Sequence, residues 1–123
     1  MTPVTVVVLA GGESRRFGSD KLAAPLAGTT VLDHLLGSLP LEWAVIAVGE
    51  QRPTPRPLTW TREYPPGGGP LAGIAAGLAL VTTDLTAVVA GDMPYAVPGL
   101  RTLAAALAAA GPDTAAAVAV DDE

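Results

Sequence analysis

The segment Leu9-Ala10-Gly11-Gly12-Glu13-Ser14-Arg15-Arg16-Phe17-Gly18-Ser19-Asp20-Lys21 places two adjacent glycines and three cations directly after an apolar run. Glycines carry no Cβ, so the backbone there can turn sharply and bring its N–H dipoles close to an anion. Arg15, Arg16 and Lys21 add full charges to the same loop, a combination suited to the phosphates of a nucleoside triphosphate. Neighbouring residues on a helix point about 100° apart, so one of the two arginines faces the phosphates, and Arg15 is taken as that residue. A second glycine cluster, Gly67-Gly68-Gly69-Pro70, opens a helical stretch whose first N–H groups and dipole also suit an anion. The third feature is Asp92, in Gly91-Asp92-Met93-Pro94 after the apolar run 85–90. Mg²⁺ needs only one or two carboxylates when substrate phosphates supply further oxygens. Alone, Asp92 equally fits a turn cap and the arginines fit a solvated helix face; their occurrence with the glycine loops favours one Mg²⁺–triphosphate site.

The loop is neither of the two commonest phosphate motifs. A P-loop requires a Gly-Lys pair after the glycine spacing, and a dinucleotide fingerprint requires G-x-G-x-x-G; both are absent here. The absence of cysteine removes disulfides, thiolate metal sites and cysteine nucleophiles. His34 is the only histidine, lies inside a helical pattern, and is read as structural. Trp43 and Trp60 are read as packing residues, whereas Tyr64 is open to either packing or stacking on a base.

These residues need a scaffold, and the chain's pattern supplies one. Strands are expected near 4–9, 43–48, 58–62, 85–91 and 115–120, and helices near 13–20, 30–38, 70–81 and 97–110. This alternation predicts an α/β fold, a Rossmann-like three-layer sandwich with a mostly parallel sheet and helices on both faces. In such a sheet, ligands bind beyond the carboxyl ends of the strands, where all three motifs fall. Thr29 or Thr30 is the expected N-cap of the second helix, which presents Val31, Leu32, Leu35 and Leu36 on one face.

The 123 residues suit a single domain, 1–123, and the 50% hydrophobic content against 4% aromatic predicts an aliphatic core. The net charge of −5 argues against a nucleic-acid or anionic-membrane surface. No apolar run approaches the ~18–20 residues of a membrane span, and no basic segment precedes an apolar one at the start, so a cytoplasmic protein is expected. Asp121-Asp122-Glu123 follows the last expected strand at once, which leads to the expectation that the domain is truncated on its C-terminal side.

Three motifs in order, Leu9-Ala10-Gly11-Gly12 through Ser14-Arg15-Arg16-Phe17-Gly18 to Asp20-Lys21, then Gly69-Pro70-Leu71-Ala72-Gly73-Ile74, then Gly91-Asp92-Met93-Pro94, resemble those of the molybdenum cofactor guanylyltransferases and their nucleotidyltransferase relatives. The resemblance covers about residues 4–96. It implies a Mg²⁺-dependent nucleotidyltransferase in which Leu9, Ala10, Gly11 and Gly12 surround the nucleotide, Lys21 meets phosphate, and Asp92 binds the metal; Ser14, Gly69, Pro70 and Leu71 of the same motifs are further nucleotide-binding candidates, and Arg15, Lys21 and Asp92 are the catalytic candidates. The acceptor's phosphate would attack the α-phosphate of GTP and release pyrophosphate. Two departures bear on base choice. Glu63 stands where the family has an Asp before the second motif, and Val48-Gly49-Glu50 replaces a common Asn. Family members also continue with a half that receives the acceptor. The implied partners are a nucleoside triphosphate, GTP favoured, and a phosphorylated acceptor, molybdopterin favoured, for a monomer or weak homo-oligomer. Transfer of GMP or CMP to a sugar phosphate or phospholactate is the alternative enzyme, and a non-catalytic nucleotide-binding remnant is the alternative outside enzymes.

Overall fold

Val4–Leu9 forms β1, and its β-branched residues suit a strand covered on both faces. The computed structural model describes residues 3–11, 21–64 and 68–110. After a single 3-10 turn at Lys21–Ala23, Pro25–Leu26 (β2) and Thr29–Thr30 (β3) pair as a small antiparallel hairpin. Then come α1 (Val31–Ser38), β4 (Ala44–Val48), β5 (Thr59–Thr61), α2 (Gly69–Leu78), β6 (Leu85–Ala90) and α3 (Val97–Ala110). The main sheet has the order β5-β4-β1-β6, every pair parallel, so all four carboxyl ends lie on one edge.

The two-residue period of β1 distributes its side chains between two helical layers. Val4, Val6, Val8 and Ala10 join Leu32, Leu35 and Leu36 of α1 and Val97 and Leu100 of α3 in one buried cluster. Val7 and Leu9 face the other way, against Gly77 and Gly73 of α2. That is the expected three-layer arrangement, with α1 and α3 on one face and α2 on the other.

Thr30 is the N-cap of α1, its Oγ1 accepting from the Asp33 N–H at 3.1 Å, so the helix starts at Val31. The expected helix 70–81 ends at Leu78. Beyond it, the Leu80 N–H turns to the Gly77 carbonyl and the Val81 N–H to the Leu78 carbonyl, both 3.1 Å, which tightens the chain out of α geometry. Helix α3 starts at Val97 as expected and is helical through Ala110, the last described residue, and strands β4, β5 and β6 fall within one residue of theirs. The expected helix at 13–20 and strand at 115–120 lie outside the described residues.

Thr5 is the one buried polar residue of the core among the described residues. The Thr83 hydroxyl donates to the Leu85 carbonyl at 2.8 Å, so its single proton is used. The 2.7 Å contact between the Thr5 and Thr83 hydroxyls therefore has Thr5 as the donor.

Candidate active site

The strands' carboxyl ends are held together by backbone bonds that continue the sheet one residue past β1, β4 and β6. The Ala10 N–H donates to the Val48 carbonyl at 2.8 Å, Gly91 to Leu9 at 2.8 Å, and Gly49 to Thr61 at 2.9 Å. Ala10, Gly49 and Gly91 thus form one backbone-bonded rim beside the end of β5. The chain leaves β1 for β4 on one side, while β6 returns to the other, so a topological switch point lies between β1 and β6. A crevice at such a point is where open α/β sheets take ligands.

Leu9 is half-buried at the end of β1, Ala10 is buried, and Gly11 is exposed on the rim. Gly49 must be glycine here: its φ is +153°, and a Cβ would stand 2.6 Å from the Ala10 carbonyl oxygen. The same test at Gly11 meets nothing nearer than 3.7 Å. The two glycines therefore differ in role. Gly49 is required for the strand ends to approach one another, whereas Gly11 has room for a side chain in the fold itself.

Asp92 is exposed two residues past the end of β6. The Gly91 bond to Leu9 ties its turn to β1, and the Met93 N–H closes the turn on the Ala90 carbonyl at 3.2 Å. A Cβ at Gly91 would come within 3.0 Å of Leu22 and 3.2 Å of the Leu9 carbonyl, so the turn is seated closely against β1 and the 3-10 segment. Among the described residues no group of three or more His, Cys, Asp or Glu side chains gathers to hold a metal. A lone exposed carboxylate on a fixed turn fits a hard cation that arrives with phosphates and keeps its own water, as Mg²⁺ does.

Helix α2 brings its N-terminus to the same rim. Gly73 lies beside the end-of-strand side chains Leu9 and Val48, and Gly77 beside Val7 further down, so the helix runs antiparallel to the strands. Its N-cap, Gly68, supplies no side-chain bond, and Gly69 begins the helix with φ +85°. Among the described residues no side chain caps its first N–H groups, so these and the positive dipole end suit an anion. Leu71 projects from the first turn, 78% exposed, and Glu63 is half-buried two residues past β5. Tyr64 is 95% exposed, so it does not serve as packing.

Of the residues expected at the site, Leu9, Ala10, Gly11, Glu63, Gly69, Pro70, Leu71 and Asp92 all belong to the rim or to the first turn of α2. Lys21 opens the 3-10 turn, whose next residue, Leu22, packs beneath Gly91. Gly12, Ser14 and Arg15 lie outside the described residues. Trp43 is buried and Trp60 packs against the core, as expected of both. Gly49 was not among the expected site residues; its signal in the sequence is a glycine standing directly after an apolar strand.

Residues 6–123 match the family described as the MobA-like NTP transferase domain. A Mycobacterium tuberculosis protein named "Probable molybdenum cofactor guanylyltransferase" is 43% identical over 102 residues, covering 76% of this chain and 50% of its own length. A Chloroflexus aggregans protein of the same name is 36% identical over 100 residues, covering 76% and 48%. The chain spans about half the length of the curated relatives it matches. Among solved structures, Rv0371c from Mycobacterium tuberculosis H37Rv superposes with a TM-score of 0.66 at 25% identity, covering 85% of this chain and 59% of that one. A nucleotidyl transferase from Methanothermobacter, with a TM-score of 0.69 at 23% identity over 84% of this chain and 57% of its own, shares the fold.

Proposed function

Because this chain belongs to the MobA-like NTP transferase family, we propose that it moves a nucleoside monophosphate from GTP to a phosphorylated acceptor, with molybdopterin as that acceptor. The observation that carries this reading is the bonding of Ala10 and Gly91 to neighbouring strand ends, which puts Gly11 and Asp92 at one sheet edge, with Gly73 of α2 beside Leu9 and Val48 at the same edge. The choice of GTP and molybdopterin rests on the names of the curated relatives.

In this reading the glycine loop and the first turn of α2 offer N–H groups to the nucleotide, and Leu71 and Glu63 border its base. Lys21, as a flexible point charge, and Arg15 neutralise the triphosphate. Asp92 would hold Mg²⁺, and the metal would supply charge neutralisation to the triphosphate. An oxygen of the acceptor's phosphate attacks the α-phosphorus in line. The bond from that phosphorus to the bridging oxygen of the β-phosphate breaks, and pyrophosphate departs with the electron pair. The nucleophile is already ionised at neutral pH, so positioning and charge neutralisation carry the catalysis. Asp92 suits this role because its turn is fixed to β1 and β6 before substrate arrives, and a preorganised charge needs no rearrangement during reaction.

The test is pyrophosphate release from GTP or CTP with Mg²⁺ and molybdopterin freed from a molybdoenzyme. Release that requires GTP and the acceptor is expected. Release with CTP alone overturns the guanylyl assignment, and GTP binding without release under any of these conditions overturns the catalytic one.

A further inference from the structure

Across the sheet from α2, helices α1 and α3 leave between them a cavity of about 390 Å³, toward the small end of the range for small-molecule sites. Its lining includes His34 and Ser38 of α1, Pro94 and Tyr95 of the turn after β6, and Pro98 and Arg101 of α3. The His34 ring meets Tyr95 edge-on, with centroids 5.2 Å apart and planes at 68°. Tyr95 is nonetheless 67% exposed. Ser38 is occupied, its hydroxyl donating to the His34 carbonyl at 2.7 Å. Arg101 is exposed and makes no hydrogen bond or ion pair with another described residue, in a chain whose net charge is −5. None of these side chains has a part in the transfer reaction above.

We propose that this cavity is a second ligand site, taking a planar ring that carries one anionic group, with the ring against Tyr95 and the prolines and the anion on Arg101. The local charge at Arg101, rather than the net balance of the chain, favours this occupant. A guanidinium with no partner among the described residues, beside an apolar wall, attracts an anion, and its planar fork suits a carboxylate or phosphate in particular. Exposed aromatic and proline surface supplies the contact area that a bare ion would not use. The ring of Tyr95, largely exposed, leaves apolar surface against which a flat ligand can lie. The site also adjoins the turn that carries Asp92. The Ala96 N–H bonds to the Met93 carbonyl at 3.2 Å, and the Leu100 N–H to the Ala96 carbonyl at 3.0 Å, which joins that turn to α3.

His34 is the chain's only histidine, so its ring C–H signals give a local reporter by NMR at fixed pH. Phenyl phosphate serves as the probe, with inorganic phosphate and phenol as its separate halves. A saturable shift of the His34 signals by phenyl phosphate is expected, with binding at least about tenfold weaker for either half alone. Arg101→Gln should weaken phenyl phosphate by about tenfold or more, while Arg101→Lys retains part of the binding. An unchanged methyl spectrum checks that each variant is folded. Excess GTP with Mg²⁺ should leave the His34 shift in place. No saturable shift at millimolar phenyl phosphate overturns the proposal, as does equal binding of inorganic phosphate, unchanged affinity in Arg101→Gln, or displacement by GTP. Failure of GTP to bind at all, with the His34 response intact, counts against the nucleotidyltransferase reading alone.

Discussion

Two glycines on the same rim should respond oppositely to alanine. At Gly49 a Cβ would lie 2.6 Å from the Ala10 carbonyl oxygen, 2.8 Å from its carbon and 3.1 Å from the Gly11 nitrogen, and φ is +153°. The obstacles are all backbone, which cannot rotate away as a side chain can. Holding alanine at that φ costs about 1–3 kcal/mol. Moving the strand ends apart weakens the Ala10–Val48 and Gly49–Thr61 bonds, each contributing about 0.5–1.5 kcal/mol net. Gly49→Ala should therefore lose about 2–5 kcal/mol, a large part of the roughly 5–15 kcal/mol that holds a domain folded. At Gly11 the nearest atoms are 3.7 Å away, an ordinary contact, so Gly11→Ala should change stability by less than about 0.5 kcal/mol. If the Gly11 backbone approaches a phosphate, however, the added methyl should weaken GTP binding by about tenfold or more. Urea unfolding monitored by far-UV circular dichroism gives the first quantity and calorimetric titration with GTP and Mg²⁺ the second. Equal stability losses in the two variants, or a neutral Gly49→Ala, would refute the assignment of one glycine to the fold and the other to the ligand.

Gly77→Ala places a methyl 2.5 Å from Val7 Cγ1, so overpacking of about 1–3 kcal/mol should outweigh the ~1 kcal/mol gain in helix propensity; Gly99→Ala, which meets nothing within 4 Å, should show that gain alone in the same urea series. Thr83→Val removes the acceptor of the buried Thr5 hydroxyl and should cost about 1–3 kcal/mol. Thr5→Val leaves Thr83 bonded to Leu85 and should cost less, an order that urea unfolding of the two variants would check. The Arg56 guanidinium bonds the carbonyls of Leu39, Pro40 and Trp43 at 2.7–3.1 Å, so Arg56→Lys, lacking the fork, should lower stability by about 1–3 kcal/mol in the same assay without altering GTP affinity.

Much of the scaffold is legible because its signals are local. The β-branched run at 4–9, the Thr30 cap and the apolar stripe of α1 each state their structure within a few residues. Chain direction then follows from alternation, and with it the rim that brings Gly11, Gly69 and Asp92 together. The hairpin of β2 and β3 is not legible, since two-residue strands show no periodicity and its turn places Ala27 at φ 50° beside Gly28 at φ 84°. Nor is the role of Arg56, whose partners are backbone carbonyls of the segment before β4 and leave no mark in side-chain types. The same holds for the α1–α3 cavity. His34 reads as a structural residue in the sequence, and only the folded chain brings Tyr95 and Arg101 beside it. The glycine loop is the reverse case: Gly12, Ser14 and Arg15 are read from sequence and lie outside the described residues.

The most direct measurement is calorimetric titration of GTP and of guanosine, with and without Mg²⁺, into the parent chain, Lys21→Ala and Asp92→Ala. A triphosphate site on the rim predicts one GTP per chain and much weaker guanosine. It also predicts that Lys21→Ala weakens GTP more than guanosine, and that Asp92→Ala abolishes the gain from Mg²⁺. GTP bound no more tightly than guanosine, or both variants binding GTP and Mg²⁺ as the parent does, would contradict it.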